Sequence, residues 1–216
     1  MIEKRLYKPV AEFVRKEFNC FTVSTTTGTM YGNIDVLGLR HVMGSFGGTT
    51  EVIAVEVKPE NSTFLKSLGQ AHAYSIMADR CYLAIHKPYG RKISQEIIDM
   101  AAQLKVGLIE IGKQKSCKVL VSSPLQEPIL HHKLSLVAKM GYVQCILCGS
   151  TFKDESVKSQ GERSTIGKAI EEEKAFRYWL FDLAKQRGSD NKKYIYDRRH
   201  VCADCVQAFR GVGSSN

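Results

Sequence analysis

Along residues 3–18, EKRLYKPVAEFVRKEF, the apolar positions Leu6, Val10, Phe13, Val14 and Phe18 recur at helical spacing. The spacing predicts a first helix, with Pro9 either kinking it or opening its second part. The period then changes. FTVSTTT (21–27) is rich in β-branched residues, and after the turn residues GTMYG the segment NIDVLGLR (33–40) reads as a second strand. A loop with Gly44, Gly47 and Gly48 precedes a third strand, EVIAVEVK (51–58). Residues 63–78 predict a helix, RCYLAIH (80–86) a buried strand, ISQEIIDMAAQLK (93–105) a second amphipathic helix after the strand, and VGLIEI (106–111) another strand. The predicted order is αβββαβαβ, with KVLVSSP (118–124) as a further strand.

Pro124 and Pro128 mark a boundary, which divides the chain into residues 1–125 and 126–216. In the second part HHKLSLVAKM and TIGKAIEEEKAFRYWLFDLAKQR are helical in pattern, residues 153–163 are polar and loop-like, and the tail GVGSSN reads as flexible.

Composition narrows the class. The 216 residues are 44% hydrophobic and 25% charged, as in a folded globular protein. No apolar run approaches the roughly 20 residues that span a bilayer, and MIEKRLYKPV lacks a signal-peptide core, so a cytoplasmic location without membrane contact is expected. The net charge of +9 raises the expectation of an anionic partner such as nucleic acid.

The third strand carries the candidate chemistry. Side chains alternate along a strand, so Ile53, Val55 and Val57 share one face while Glu56 and Lys58 share the other. If the second strand pairs beside it, Asp35 converges on Glu56, and two carboxylates held close call for a cation or a proton between them. Mg²⁺ (or Mn²⁺) suits such a pair, because it takes oxygen ligands and keeps several waters. Lys58 adds a positive charge able to stabilise a phosphate. Gln70 and Lys66 share a face of the following helix and are within reach of the same place. The bland alternative is a solvated cross-strand pair, and an ExK triplet by itself favours it.

Asp35 followed by Glu56-Val57-Lys58, after a leading helix and before a helix carrying Gln70, resembles the PD-(D/E)xK nuclease superfamily, the restriction-endonuclease-like fold. The resemblance covers roughly residues 1–123, and RLYKPVAEF with QAHAYSIMADRCYLAI is similar to uncharacterised bacterial members of that group. It implies an α/β fold, a mixed sheet flanked by helices. It also implies a Mg²⁺-dependent nuclease acting on DNA, in which Asp35 and Glu56 hold the metal, and Lys58 and Gln70 assist catalysis. Ile34 stands where the name-giving proline would be. The acidic residue often found on the first helix is Glu3, Glu12 or Glu17: helical phase puts Glu17 within the apolar arc and Glu12 facing away, while Glu3 fits the family-like spacing. A homodimer is a natural expectation for an enzyme that makes two cuts. The same fold without turnover, as a nucleic-acid-binding or sensor protein, is the alternative.

Of seven cysteines, four form two CxxC pairs, Cys145 with Cys148 and Cys202 with Cys205. A two-residue spacer lets both sulfurs reach one metal, so the four predict a structural Zn²⁺ site in a mostly helical region, with Trp179 and Phe181 packing inside a long insertion. Cys20, Cys81 and Cys117 read as small hydrophobes. Lys192, Lys193, Arg198 and Arg199, interleaved with Tyr194 and Tyr196, form a basic patch suited to nucleic acid, or a solvated loop.

Overall fold

A computed structural model describes residues 3–29, 32–44, 47–59, 63–87, 93–145 and 149–153. The chain divides into two compact units, one of residues 1–41 and 51–140, the other of residues 42–50 and 141–216.

The first unit opens with α1 (Lys4–Glu17), one helix that runs through Pro9 and buries Leu6, Val10 and Val14. Those residues recur every four positions, so one stripe of the helix faces the core. There follow β1 (Thr22–Thr29), β2 (Gly32–Gly44), β3 (Gly47–Lys58), α2 (Phe64–Ala73), β4 (Arg80–His86), α3 (Gln95–Gln103), β5 (Gly107–Ile111), β6 (Cys117–Val121) and α4 (Leu130–Lys139). The six strands form one sheet in sequential order. β1 is antiparallel to β2, β3 to β5 run parallel, and β6 returns antiparallel. Parallel neighbours need a crossover, and α2 and α3 supply the two crossovers. The architecture is α/β, a mixed six-stranded sheet flanked by helices.

Central strands are buried on both faces, which is why RCYLAIH reads as a continuous apolar run. Tyr82 and Ala84 of β4 pack with Val55, Val57 and the α1 stripe, while Leu83 and Ile85 pack with Leu68 and Ala71 of α2 and Ala101 of α3. Gly107 is required by this packing. A Cβ there would lie 2.3 Å from the Tyr82 ring and 2.8 Å from the Ser123 amide nitrogen.

Two boundaries differ from the sequence pattern. The helix predicted over 63–78 ends at Ala73, and Tyr74–Ile76 tighten into a 3₁₀ turn whose Tyr74 carbonyl accepts from the Met77 and Ala78 amides. β2 and β3 extend through Gly44 and from Gly47, where glycines suggested a loop, because pairing between neighbouring strands overrides weak local preference.

In the second unit, β7 (Tyr142–Gln144) and β8 (Thr151–Lys153) pair antiparallel. The Thr50 hydroxyl bonds that of Thr151. Among the described residues no helix is long and apolar enough to cross a membrane.

Candidate functional site

β3 delivers Glu56 and Lys58 on successive same-side positions, and β2 beside it delivers Asp35. Asp35 and Glu56 are both buried, at 7% and 2% exposure. Glu56 lies level with Leu83 of β4, so its carboxylate is set in an otherwise apolar part of the sheet. Burying a charge there is costly unless it is bonded, and each carboxylate is bonded twice. Asp35 Oδ1 accepts from the Tyr7 hydroxyl at 2.6 Å and Oδ2 from the Val57 amide at 2.8 Å. Glu56 Oε1 pairs with Lys58 Nζ at 2.8 Å, and Oε2 accepts from the Tyr74 hydroxyl. The same hydroxyl lies 3.0 Å from the Asn33 carbonyl and shares its one proton between the two acceptors, so it ties the turn after α2 to both β2 and β3.

Lys58 is held from a second side. Its ammonium donates to Glu3 Oε1 at 3.0 Å, at the start of α1. Of the three acidic candidates on the first helix, Glu3 is therefore the one joined to the cluster, whereas Glu12 and Glu17 are exposed.

The electrostatics follow from burial and neighbours. Desolvation raises the Asp35 carboxyl above its usual range and the charge of Glu56 adds to this, against the lowering effect of Tyr7, Val57 and Lys58. Burial pulls the Lys58 ammonium down, but its bonds to Glu56 and Glu3 outweigh that and leave it raised. Burial and the adjoining carboxylates also raise both phenols, Tyr7 and Tyr74, which stay protonated donors at neutral pH.

The backbone beside Asp35 is unusual. β1 and β2 pair at Thr25 with Val36 and at Thr27 with Ile34, so Thr26 stands opposite Asp35, and Thr26 has φ 57. A β-branched residue in the left-handed region is an outlier that costs on the order of 1–3 kcal/mol. Such strain collects where a structure positions functional groups.

Gln70 is exposed on α2. The residue one turn later, Tyr74, is the one that reaches Glu56. The sequence pattern singles out neither Tyr7 nor Thr26 and reads Tyr74 as a core-edge or surface residue, although Tyr7 follows Glu3 and Tyr74 follows Gln70 at the four-residue spacing that shares a helix face. Among the described residues no group of three or more His, Cys, Asp and Glu side chains is gathered as metal ligands. The cluster contributes two carboxylates directly, with Glu3 reached through Lys58.

In the second unit Cys145 is buried where β7 ends. Its amide donates to the Ser150 carbonyl at 2.7 Å, its carbonyl accepts from Gly149 at 2.9 Å, and Gly149 has φ 76. Cys148, Cys202, Cys205, Lys192, Lys193, Arg198 and Arg199 lie outside the described residues, as do Trp179 and Phe181. The remaining cysteines pack as expected: Cys20 and Cys81 are buried and Cys117 is half-buried, and burial pushes the three thiols up to about 12, 12 and 11 respectively.

No family model and no curated protein matches the chain. Among solved structures it is similar to a protein of unknown function from Silicibacter pomeroyi, with 19% identity and a TM-score of 0.44, over 64% of this chain and 82% of that one.

Proposed function

We propose that the chain is a Mg²⁺-dependent nuclease of the restriction-endonuclease-like kind, hydrolysing phosphodiester bonds, with DNA as the substrate. The observation that carries the reading is Lys58, a protonated ammonium fixed between Glu56 and Glu3 next to the buried carboxylate of Asp35. The donor set fits a hard divalent cation. An ionised carboxylate offers about four lone-pair positions, and the bonds described above use two on Asp35 and two on Glu56, leaving capacity on both for a metal that keeps most of its waters. When bound, the metal would polarise the phosphate and acidify a water.

The chain's own residues have distinct tasks in this reading. Asp35 and Glu56 hold the cation, and Tyr7 and Tyr74 fix the orientation of their carboxylates. Lys58 lends positive charge to the phosphate oxygens as charge grows on them in the transition state. Glu3 keeps that ammonium charged and in place. Cys145, Cys148, Cys202 and Cys205 form a structural Zn²⁺ site in this proposal, supported by the burial of Cys145 and the left-handed Gly149 just after the first pair. The patch of Lys192, Lys193, Arg198 and Arg199 assists in gripping the nucleic acid, and a homodimer would cut both strands.

A second reading has an observation of its own. Lys58 already supplies a cation to Glu56 and Glu3, so a nucleic-acid-binding protein without turnover would need no metal at this place. Incubating the protein with plasmid, linear duplex, single-stranded DNA and RNA in Mg²⁺ or Mn²⁺ separates the two. Cleavage of any of the four supports the nuclease, and binding without cleavage in either metal selects the second reading.

A further inference from the structure

Beside the carboxylate cluster, α1 and β1 enclose a groove of roughly 520 Å³. Its α1 wall carries Lys4, Lys8, Glu12 and Arg15, and Tyr7 and Thr26 complete the side toward the site. The four charged residues are exposed and spaced so that they form one stripe of the helix, three cations against one acid. A cationic stripe on a helix is ordinarily just a solvated face. Two features set this one apart: it lines a cavity, and the cavity shares walls with the site. Tyr7 lines the groove and donates to Asp35, while the strained Thr26 lines it and stands opposite Asp35 in the sheet.

We infer that this groove seats the sugar-phosphate backbone of the nucleic-acid strand next to the phosphate presented at Asp35; the inference rests on the nuclease reading above. From Lys4 to Arg15 the helix rises about 16 Å. That length matches about five nucleotides along one strand of B-form DNA. Lysine and arginine at these positions contact phosphate oxygens and carry no base information, so the groove sets the register of the strand without choosing its sequence. Threonine hydroxyls at Thr25 and Thr26 add neutral donors on the β1 side.

The test is the salt dependence of binding, measured by fluorescence anisotropy with the full chain in EDTA. The probes are fluorescein-labelled DNAs of about 20 nucleotides, single-stranded and duplex. Each phosphate contact contributes about 0.7 (single strand) or 0.9 (duplex) to the slope of log K against log salt. The double variant Lys8→Gln with Arg15→Gln is therefore expected to flatten the slope by roughly 1.4–1.8 and to weaken binding about 25- to 60-fold at 0.1 M salt. Glutamine keeps helix propensity at these exposed sites. The charge-conserving pair Lys8→Arg with Arg15→Lys should bind like the wild type. A charge-matched control, Lys105→Gln with Lys113→Gln, changes exposed lysines outside the groove and should leave the slope where it was. Equal slopes for the groove and control variants, with wild-type binding intact, overturn the groove and leave the nuclease reading standing. A wild type that neither binds either probe in EDTA nor cuts it in Mg²⁺ or Mn²⁺ overturns both.

Discussion

Asp35 and Lys58 are neighbours whose charges are maintained by opposite means. Asp35 is surrounded by neutral donors in a desolvated setting, so its charge is costly, whereas the charge of Lys58 is secured by two carboxylates. A carboxyl whose folded pKa is raised lends stability below its unfolded value, about 3.9, and that stability is lost as pH rises through the folded value. Asp35→Asn does not titrate, so its melting temperature relative to wild type should rise as pH goes from 4 to 8 in EDTA, on top of a constant penalty for the one acceptor that the amide lacks. A difference between the two proteins that stays constant from pH 4 to pH 8 would show that desolvation does not dominate. Tyr74→Phe removes the donor to Glu56 and to the Asn33 carbonyl, and urea denaturation should show a loss of about 1.5–3 kcal/mol, the range for a bond to a charged partner. An unchanged midpoint would make that hydroxyl dispensable. At this scale the alternation within VIAVEVK made Glu56 and Lys58 legible, since a strand cannot hide two charged residues on one face without giving them partners. Tyr7, Tyr74 and Thr26 were not legible in the same way. Their roles depend on how α1, the turn after α2 and β1 approach the carboxylates in space, which no local pattern encodes.

At the scale of elements, the strands of the sheet's centre were the most readable, because burial on both faces leaves an unbroken apolar run. RCYLAIH (80–86) coincides with β4. Boundaries set by tertiary contact were less so, as at the 3₁₀ turn after Ala73 and the glycines of β2 and β3. The amino-terminal part of β3 is held to its neighbours by charge as well as by ladder bonds. Glu51 Oε2 accepts from Arg40 Nη2 at 2.7 Å and Arg80 Nε at 2.8 Å, and Arg80 Nη1 donates to the Ser123 carbonyl at 2.6 Å. Burial pushes the Glu51 carboxyl up, but the two arginines outweigh it and hold it below the usual range. Its contribution is then present above the unfolded pKa and lost as pH falls through the folded one. Glu51→Gln should cost about 2 kcal/mol at pH 7, less than a fully buried pair because the arginines are partly exposed. The wild type should lose that advantage on acidification, and thermal melts of both proteins from pH 7 to pH 3 check it. Parallel melting curves across that range would count against the pairing.

For the whole molecule, the proposed function calls for two metals in different roles: an open site on the carboxylates, where solvent and phosphate would complete the shell, and a closed one on four cysteines. The four cysteines stand out in the sequence by spacing alone, as two pairs with two residues between the sulfur ligands, and of the four the described residues include Cys145. Elemental analysis of the purified chain should find about one zinc per molecule, reduced together with stability in Cys202→Ser. Full stability of metal-free protein in a chelator would rule out a structural zinc. The proposed chemistry stands or falls on the carboxylates. Single-turnover cleavage of labelled duplex DNA by wild type, Asp35→Asn and Lys58→Ala, with Mn²⁺ binding followed calorimetrically on the same preparations, tests it most directly. The expected result is cleavage and metal binding by wild type, loss of both in Asp35→Asn, and retained metal binding with cleavage slowed at least a hundredfold, on the order of the loss when one charge-stabilising donor is removed, in Lys58→Ala. Cleavage that survives in both variants, or a wild type that binds DNA and no metal, would contradict it.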